Sequence, residues 1–241
     1  MSPQESPPES SKILNFRCPV ELEGLLPLPT PGARGLPEWF RAMPPLAFSE
    51  LSSGDTETVK RCPPFIDAMS EGFLIALWCD VIVDRGELSW DHDLPVGRQL
   101  SYPRSPIGFH DPSQMVGAPM ADPDRFLIKF HNLWTIKAPE GYAVLFTHPV
   151  NRLDLPFTTL TGLVDCDRYH DSWVHFPAYW RDMDFRGVLA KGTPIVQGFP
   201  IKRETWGLHT GAFNDAGERR VRDLTAEIAR ETGIYRRRFR V

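Results

Sequence analysis

A chain of 241 residues with 41% apolar side chains is long enough to bury a sizeable core. Its 27 Lys and Arg stand against 31 Asp and Glu, so the net charge of −4 supplies no basic field to gather nucleic acid or an anionic membrane, and neither is expected as a partner. The four cysteines, Cys18, Cys62, Cys79 and Cys166, form no Cys-x-x-Cys pair or zinc-knuckle spacing, which fits reduced thiols in a cytoplasmic protein.

In chain order, residues 1–12 ("MSPQESPPESSK") are polar and proline-rich, without the basic start and apolar run of a secretory signal, and are predicted to be disordered. Residues 13–64 form a Pro-rich N-terminal arm. Half of the 24 prolines lie in the first 64 residues, and "LPLPTPGARGLPEWFRAMPP" interleaves them with Trp39, Phe40 and Met43, so an extended arm laid over a core is expected. From 65 to 205 the texture is that of a β-rich core: "GFLIALWCDVIV", "RFLIKFHNLWTIKA", "GYAVLFTHP", "LTGLVDCD" and "GVLAKGTPIVQGFPI" are strand-length, rich in β-branched and aromatic residues, and bounded by turn formers. The longest apolar run, Phe73 to Cys79, falls short of the ~20 residues a membrane span needs. Residues 92–124, rich in Pro and Gly, read as an insertion or a lid. Residues 206–241 are expected to form a helix and a basic tail, with Val221, Leu224 and Ile228 on one stripe, Asp215 and Glu218 spaced as a capping box, and Gly233 as the stop. The tail "RRRFRV" reads as a solvated terminus more readily than as a phosphate contact.

The ionisable chemistry concentrates in "TLTGLVDCDRYHDSWVHF", 159 to 176. On a continuous strand Leu163, Asp165 and Asp167 share one face and Val164 and Cys166 the other. Two readings stay open. The aspartates either sit at the exposed end of the strand and accept turn amides, or face a pocket where burial and mutual repulsion raise one pKa and suit it to proton transfer or metal binding.

Four motifs in register, carried by Pro139, Gly141 and Tyr142, by Pro149, by Gly162, Asp165 and Asp167, and by Lys191, Gly192 and Gln197, resemble the β-clip barrel of the deoxyuridine triphosphatase and deoxycytidine triphosphate deaminase superfamily over roughly residues 125 to 203. The resemblance implies a mainly β, dUTPase-like barrel, a jelly roll being the alternative from the strand pattern alone. It further implies Asp165 in the place of the general base that activates water, a magnesium-held nucleoside triphosphate, and a trimer. The chain departs from that family at Arg168, where a tyrosine is expected and Tyr169 comes one later, at "HPVNR" in place of a "PRS" turn, and at its C-terminal helix, which replaces a Gly-rich arm. Those departures count against triphosphate hydrolysis. "LFTHP", "NRLDLPF" and "TGLVD" are also similar to an uncharacterised group of bacterial and phage proteins, a likeness that runs from about Cys62 to Trp206 and carries no activity with it.

His131, His148 and His175 come from three successive apolar elements. Converging with Asp165 or Asp167, they would suit iron or zinc, giving a mononuclear metal oxygenase or hydrolase. "HPVNRLDLPF" places Asn151, Arg152 and Asp154 in a rigid polar turn, where Arg152 either clamps a carboxylate or phosphate of a ligand or bridges to Asp154. Trp134, Trp173, Tyr179 and Trp180 are candidate walls for an aromatic or heterocyclic substrate, packing being the alternative.

The first expectation is therefore a barrel that binds a small anionic or heterocyclic molecule, with Asp165, Asp167 and His148 as catalytic candidates and Asn151, Arg152, Asp154, Tyr169 and Trp134 as binding candidates. The metal enzyme on the three histidines is its rival, and a phage-like structural or interaction module without catalysis is the third reading. The cofactor stays open, a divalent magnesium, iron or zinc ion being the candidate. No glycine-rich phosphate loop or nucleophile elbow is present.

Overall fold

A computed structural model describes residues 12–98, 101–119 and 127–240. The expected disordered tail therefore lies outside the described residues except for Lys12, as do 99, 100 and 120–124 of the expected insertion. The chain divides into two compact units, one of residues 1–37 and 69–203, the other of 38–68 and 204–241.

The larger unit is built from antiparallel sheets. A five-stranded sheet runs in the order Gly162–Val164, Tyr142–Thr147, Pro194–Lys202, Phe73–Ala76, Thr30–Pro31. A four-stranded sheet runs Phe157–Thr159, Phe176–Trp180, Leu127–Phe130, Ile107–Phe109. A three-stranded sheet of Gly187–Leu189, Val81–Asp84 and Glu87–Ser89 and a pair of Asn15–Arg17 with Thr135–Lys137 complete it. The protein is thus mainly β, as its strand-length runs predict. Among the described residues, however, each sheet ends in two edges and none closes into a barrel.

Period-two alternation decides what is buried. Phe176, Ala178 and Trp180 point into the core while Pro177 and Tyr179 do not, and Ile128 and Phe130 do the same on the neighbouring strand. The two large sheets share one core, in which Phe146 of the first meets Phe176 of the second with ring centroids 5.2 Å apart. Where the Pro194–Lys202 and Phe73–Ala76 strands meet, the backbones approach so closely that side chains are excluded. A Cβ on Gly72, which holds φ at 66°, would lie 2.1 Å from the Gly198 carbonyl oxygen.

The Pro-rich arm does not stay in one body. Up to Pro37 it belongs to the sheet unit, where Leu22 and Leu26 are buried with Trp78, Tyr102 and Leu133. From Glu38 it supplies the second unit with the short helix Glu38–Ala42 and the hairpin Leu46–Ser49/Gly54–Glu57. Part of the expected insertion is structural, since Ile107–Phe109 pairs with Leu127–Phe130. The C-terminal helix runs Asp215–Arg230, and its N-cap is Asn214 rather than Asp215: the Asn214 side chain accepts the Gly217 amide at 2.9 Å. Gly233, left-handed at φ 77°, precedes a further short helix, Ile234–Arg238. No described helix is long and apolar enough to cross a membrane.

Candidate functional site

The acidic segment is a turn, not a continuation of its strand. The strand ends at Val164, the Asp165 carbonyl accepts the amides of Arg168 (2.9 Å) and Tyr169 (2.8 Å), and Cys166 drops into the core. The alternation expected through 163–167 is therefore broken, because a turn satisfies these backbone groups locally. Opposite it, Pro139 to Tyr142 makes a tight turn closed by the Tyr142 amide on the Pro139 carbonyl, and Gly141 at φ 80° supplies the positive φ such a turn requires. The register of the five-stranded sheet sets Lys202 across from Tyr142, so Arg203, the next residue, leaves the sheet between the two turns.

Arg203 joins them. Its Nη1 donates to Asp165 Oδ1 at 2.8 Å and to Asp167 Oδ1 at 2.9 Å, its Nη2 donates to Asp167 Oδ2, and its backbone amide donates to the Gly141 carbonyl at 2.9 Å. Asp167 Oδ2 also accepts the Gly141 amide at 3.0 Å. The Arg203 guanidinium, helped by the Gly141 amide and the charge of Arg168, holds the Asp167 carboxyl below the usual carboxylate range, although partial burial works the other way. The two carboxylates in turn raise the Arg203 guanidinium. A carboxylate of raised pKa, as the pocket reading of this segment expected, is thus not what Asp167 provides. Its side chain is 4% exposed and fully engaged, whereas that of Asp165 is 53% exposed and its Oδ2 takes no hydrogen bond among the described residues.

Around this clamp Lys137, Ala138, Glu140, Gly141, Arg168 and His170 line an open cleft of about 530 Å³. His170 is fixed by Nδ1, which donates to the Asp167 carbonyl at 3.0 Å. Lys137 and Arg168 are exposed, and neither forms an ion pair among the described residues.

The other candidates lie elsewhere in the sheet unit. Arg152 is taken up by Asp154, with Nε at 2.9 and 3.1 Å and Nη2 at 2.8 Å, so the turn-bridge reading of "NRLD" is the one observed. Asn151 occupies the left-handed region at φ 61° within that turn. His148 has both ring nitrogens occupied: Nδ1 accepts the Thr159 amide at 3.2 Å, which makes Nε2 the donor to the Arg152 carbonyl at 2.9 Å. Trp134 is a packing residue whose Nε1 donates to the Pro27 carbonyl at 3.1 Å, and Tyr169 is half exposed beside the acidic turn without lining the cleft.

His131 and His175 do meet, with ring centroids 4.9 Å apart, but His148 is not with them. His131 Nδ1 donates to the Ser105 carbonyl (2.7 Å), which leaves Nε2 as its lone pair. His175 Nδ1 accepts the Asn132 amide (3.3 Å), which places the ring proton on Nε2. Of the three imidazoles only His131 therefore offers a free lone pair, and the expected triad does not assemble. Burial lowers the pKa of all three, that of His175 to about 4 with the neighbouring His131 and Lys129 adding to the effect. Among the described residues no group of three or more His, Cys, Asp or Glu is placed to hold a metal ion. At the acidic turn a guanidinium already occupies the space between the two carboxylates, so a divalent cation does not fit that donor set.

The sequence reading missed Arg203, Lys137, Arg168 and His170. The signal for the first was present in "PIVQGFPIKR", a cation just past the end of a nine-residue strand, but its partner could be found only from the register. Gln197, named in the sequence only as part of the fourth motif, is a buried polar residue that accepts the Val150 amide at 2.9 Å and donates to the Glu71 carbonyl at 2.8 Å, tying the 148–154 turn to the central strand.

No family model matches the chain, and no curated protein matches it at a significant level.

Proposed function

We propose that the sheet unit binds a small molecule carrying an anionic group in the cleft between the Pro139–Tyr142 turn and the Asp165–Tyr169 turn. The observation that carries the reading is the junction itself. Arg203 locks two turns into one wall and leaves the cations of Lys137 and Arg168 uncommitted in the cleft, while the free Oδ2 of Asp165 is exposed on the same turn outside the cleft's lining. A fixed wall with unspent donors costs little to organise when a ligand arrives. Lys137 and Arg168 hold the anionic group, Arg168 with two parallel hydrogen bonds where the group is planar. Asp165 Oδ2 accepts from an N–H or O–H of the same molecule, and it is the group that would serve as a base if the ligand is transformed. A heterocycle with an acidic substituent meets both demands.

The test is a thermal-shift panel of inorganic phosphate, citrate, nucleoside monophosphates and small heterocyclic carboxylic acids. A ligand that binds only the folded chain raises the unfolding midpoint as its concentration rises. At least one class is expected to do so, and the double variant Lys137→Ala/Arg168→Ala, both exposed positions, is expected to keep its own midpoint while losing that response. No response from any class, or a response the double variant retains, would leave the clamp as a structural joint and favour an interaction module without a small ligand.

A further inference from the structure

Apolar surface is left open in the second unit. Helix Asp215–Arg230 sets Val221, Leu224 and Ile228 on one stripe at spacings of three and four, the seam of a helix pair, and one turn earlier Phe213 lies over the buried Gly217. Val221 is 47% and Ile228 51% exposed, and the helix packs chiefly on the short helix Ile234–Arg238 that follows it. In the segment before it, Trp206, Leu208 and Phe213 are 79%, 96% and 67% exposed. A helix of this length draws most of its stability from a covered amphipathic face, and an apolar helix face left open marks an interaction site.

We infer that a second copy of this chain covers it, through two-fold antiparallel pairing of the Asp215–Arg230 helices. The charge pattern selects that occupant. Arg220 and Glu227 flank the stripe on the same side seven residues apart, so a layer that sets Val221 against Leu224 of the second copy, with Phe213 over Gly217 against its Ile228, brings Arg220 of each chain to Glu227 of the other. The acidic first turn, Asp215 and Glu218, then lies near Arg230 of the other helix, and the two helix dipoles oppose. A parallel pair would instead place the acidic turns together. Glu227 already bonds Arg238 of its own chain, leaving its second oxygen for Arg220. Aromatic side chains bury roughly 150–250 Å² each, so Phe213 of each copy would add to what Val221, Leu224 and Ile228 bury in the pair. The pairing is isologous and closed, which ends assembly at two.

Sedimentation equilibrium of the full chain at micromolar concentrations tests this. The expected mass is twice the 27.4 kDa of one chain. Arg220→Glu and Glu227→Arg are each expected to weaken the dimer about tenfold, and the double variant R220E/E227R to restore most of that loss, as charge pairs coupled across an interface do. Far-UV circular dichroism confirms that each variant keeps its helix content. A wild-type monomer, a trimer, a dimer indifferent to Ile228→Asp, or a double variant no tighter than its single parents would overturn the pairing. The wild-type mass decides even if a variant fails to fold.

Discussion

The sheet unit contains two clamps of the same chemistry built to opposite ends. Arg152 and Asp154 are two residues apart and pair within one turn, through hydrogen bonds that no distant strand has to set. Arg203 reaches carboxylates 36 and 38 residues away and a glycine turn further still, so it can form only once the five-stranded sheet has set its register. The local bridge joins near neighbours. The long-range one holds three chain segments and leaves an oxygen of Asp165 unclaimed, which is why it, and not the more conspicuous "NRLD" turn, carries the proposed ligand.

The largest expected effect follows from breaking the long-range clamp. Arg203→Ala leaves the nearly covered Asp167 carboxylate with only the Gly141 amide, and that one hydrogen bond as the side-chain tie between the two turns. The thermal midpoint should fall by several degrees, and ligand response should disappear with it. Arg203→Lys should recover only part of the midpoint, because an ammonium cannot reproduce the planar fork that reaches both carboxylates. Differential scanning calorimetry decides the point. A wild-type midpoint in the alanine variant would mean the clamp bears no weight.

Acid should separate the clamp from the interior imidazoles. A buried imidazole with a lowered pKa resists protonation in the fold, whereas the unfolded chain takes up the proton below about pH 6.5. The unfolded state thus binds more protons, and stability falls as the pH drops from about 6.5 toward about 4, where His175 itself titrates. The lowered carboxyl of Asp167 works further down: its contribution is present above the ordinary aspartate value of about 4 and is lost as the pH falls through its folded value. Urea midpoints against pH should therefore decline in two stages. His175→Gln should make the first stage shallower, His131 and His148 supplying the rest, and Asp167→Asn should reduce only the second; a single stage abolished by either variant would contradict the assignment.

A smaller effect separates the two aspartates. Asp165→Asn keeps a carbonyl oxygen for Arg203 at an exposed position, so the thermal midpoint should move by no more than about a degree. The ligand identified in the panel should nonetheless bind about tenfold more weakly, the loss of one charge-assisted hydrogen bond. Calorimetric titration reads the affinity. An unchanged affinity would remove Asp165 from the site while leaving the cationic half intact.

How much of this was legible beforehand follows the same division between local and long-range order. The strands Leu127–Phe130 and Tyr142–Thr147, the amphipathic helix and the Arg152–Asp154 bridge depend on neighbours within a few residues, and their spacing is visible in the sequence. Asp165 and Asp167 could be singled out as unusual, but not their orientation, because a turn at Asp165 shifts every later side chain off the strand's period. Arg203, Lys137 and Arg168 could not be gathered, since what unites them is the Tyr142 to Lys202 register. The histidines failed as a group for another reason: each had a backbone partner that fixed its tautomer, and a residue count carries no tautomer.

The local clamp supplies the smallest effect. Arg152→Ala removes three side-chain hydrogen bonds, all to one partner two residues away, and leaves Asp154 partly exposed to water. What the turn contributes to the sheet passes through backbone atoms, namely the Arg152 carbonyl that accepts from His148 and the Val150 amide held by Gln197, and neither belongs to the deleted side chain. With the Arg152 side chain only 13% exposed, the cost should lie somewhat above that of a surface ion pair, about 1 kcal/mol, and the ligand response should survive. Gln197→Leu, which strips the Val150 amide of its acceptor in a buried setting, should cost more, roughly 2 kcal/mol. If chemical denaturation ranks the two variants the other way, the 148–154 turn is held by its arginine after all, and the distinction between a self-contained clamp and a connecting one would have to be drawn elsewhere.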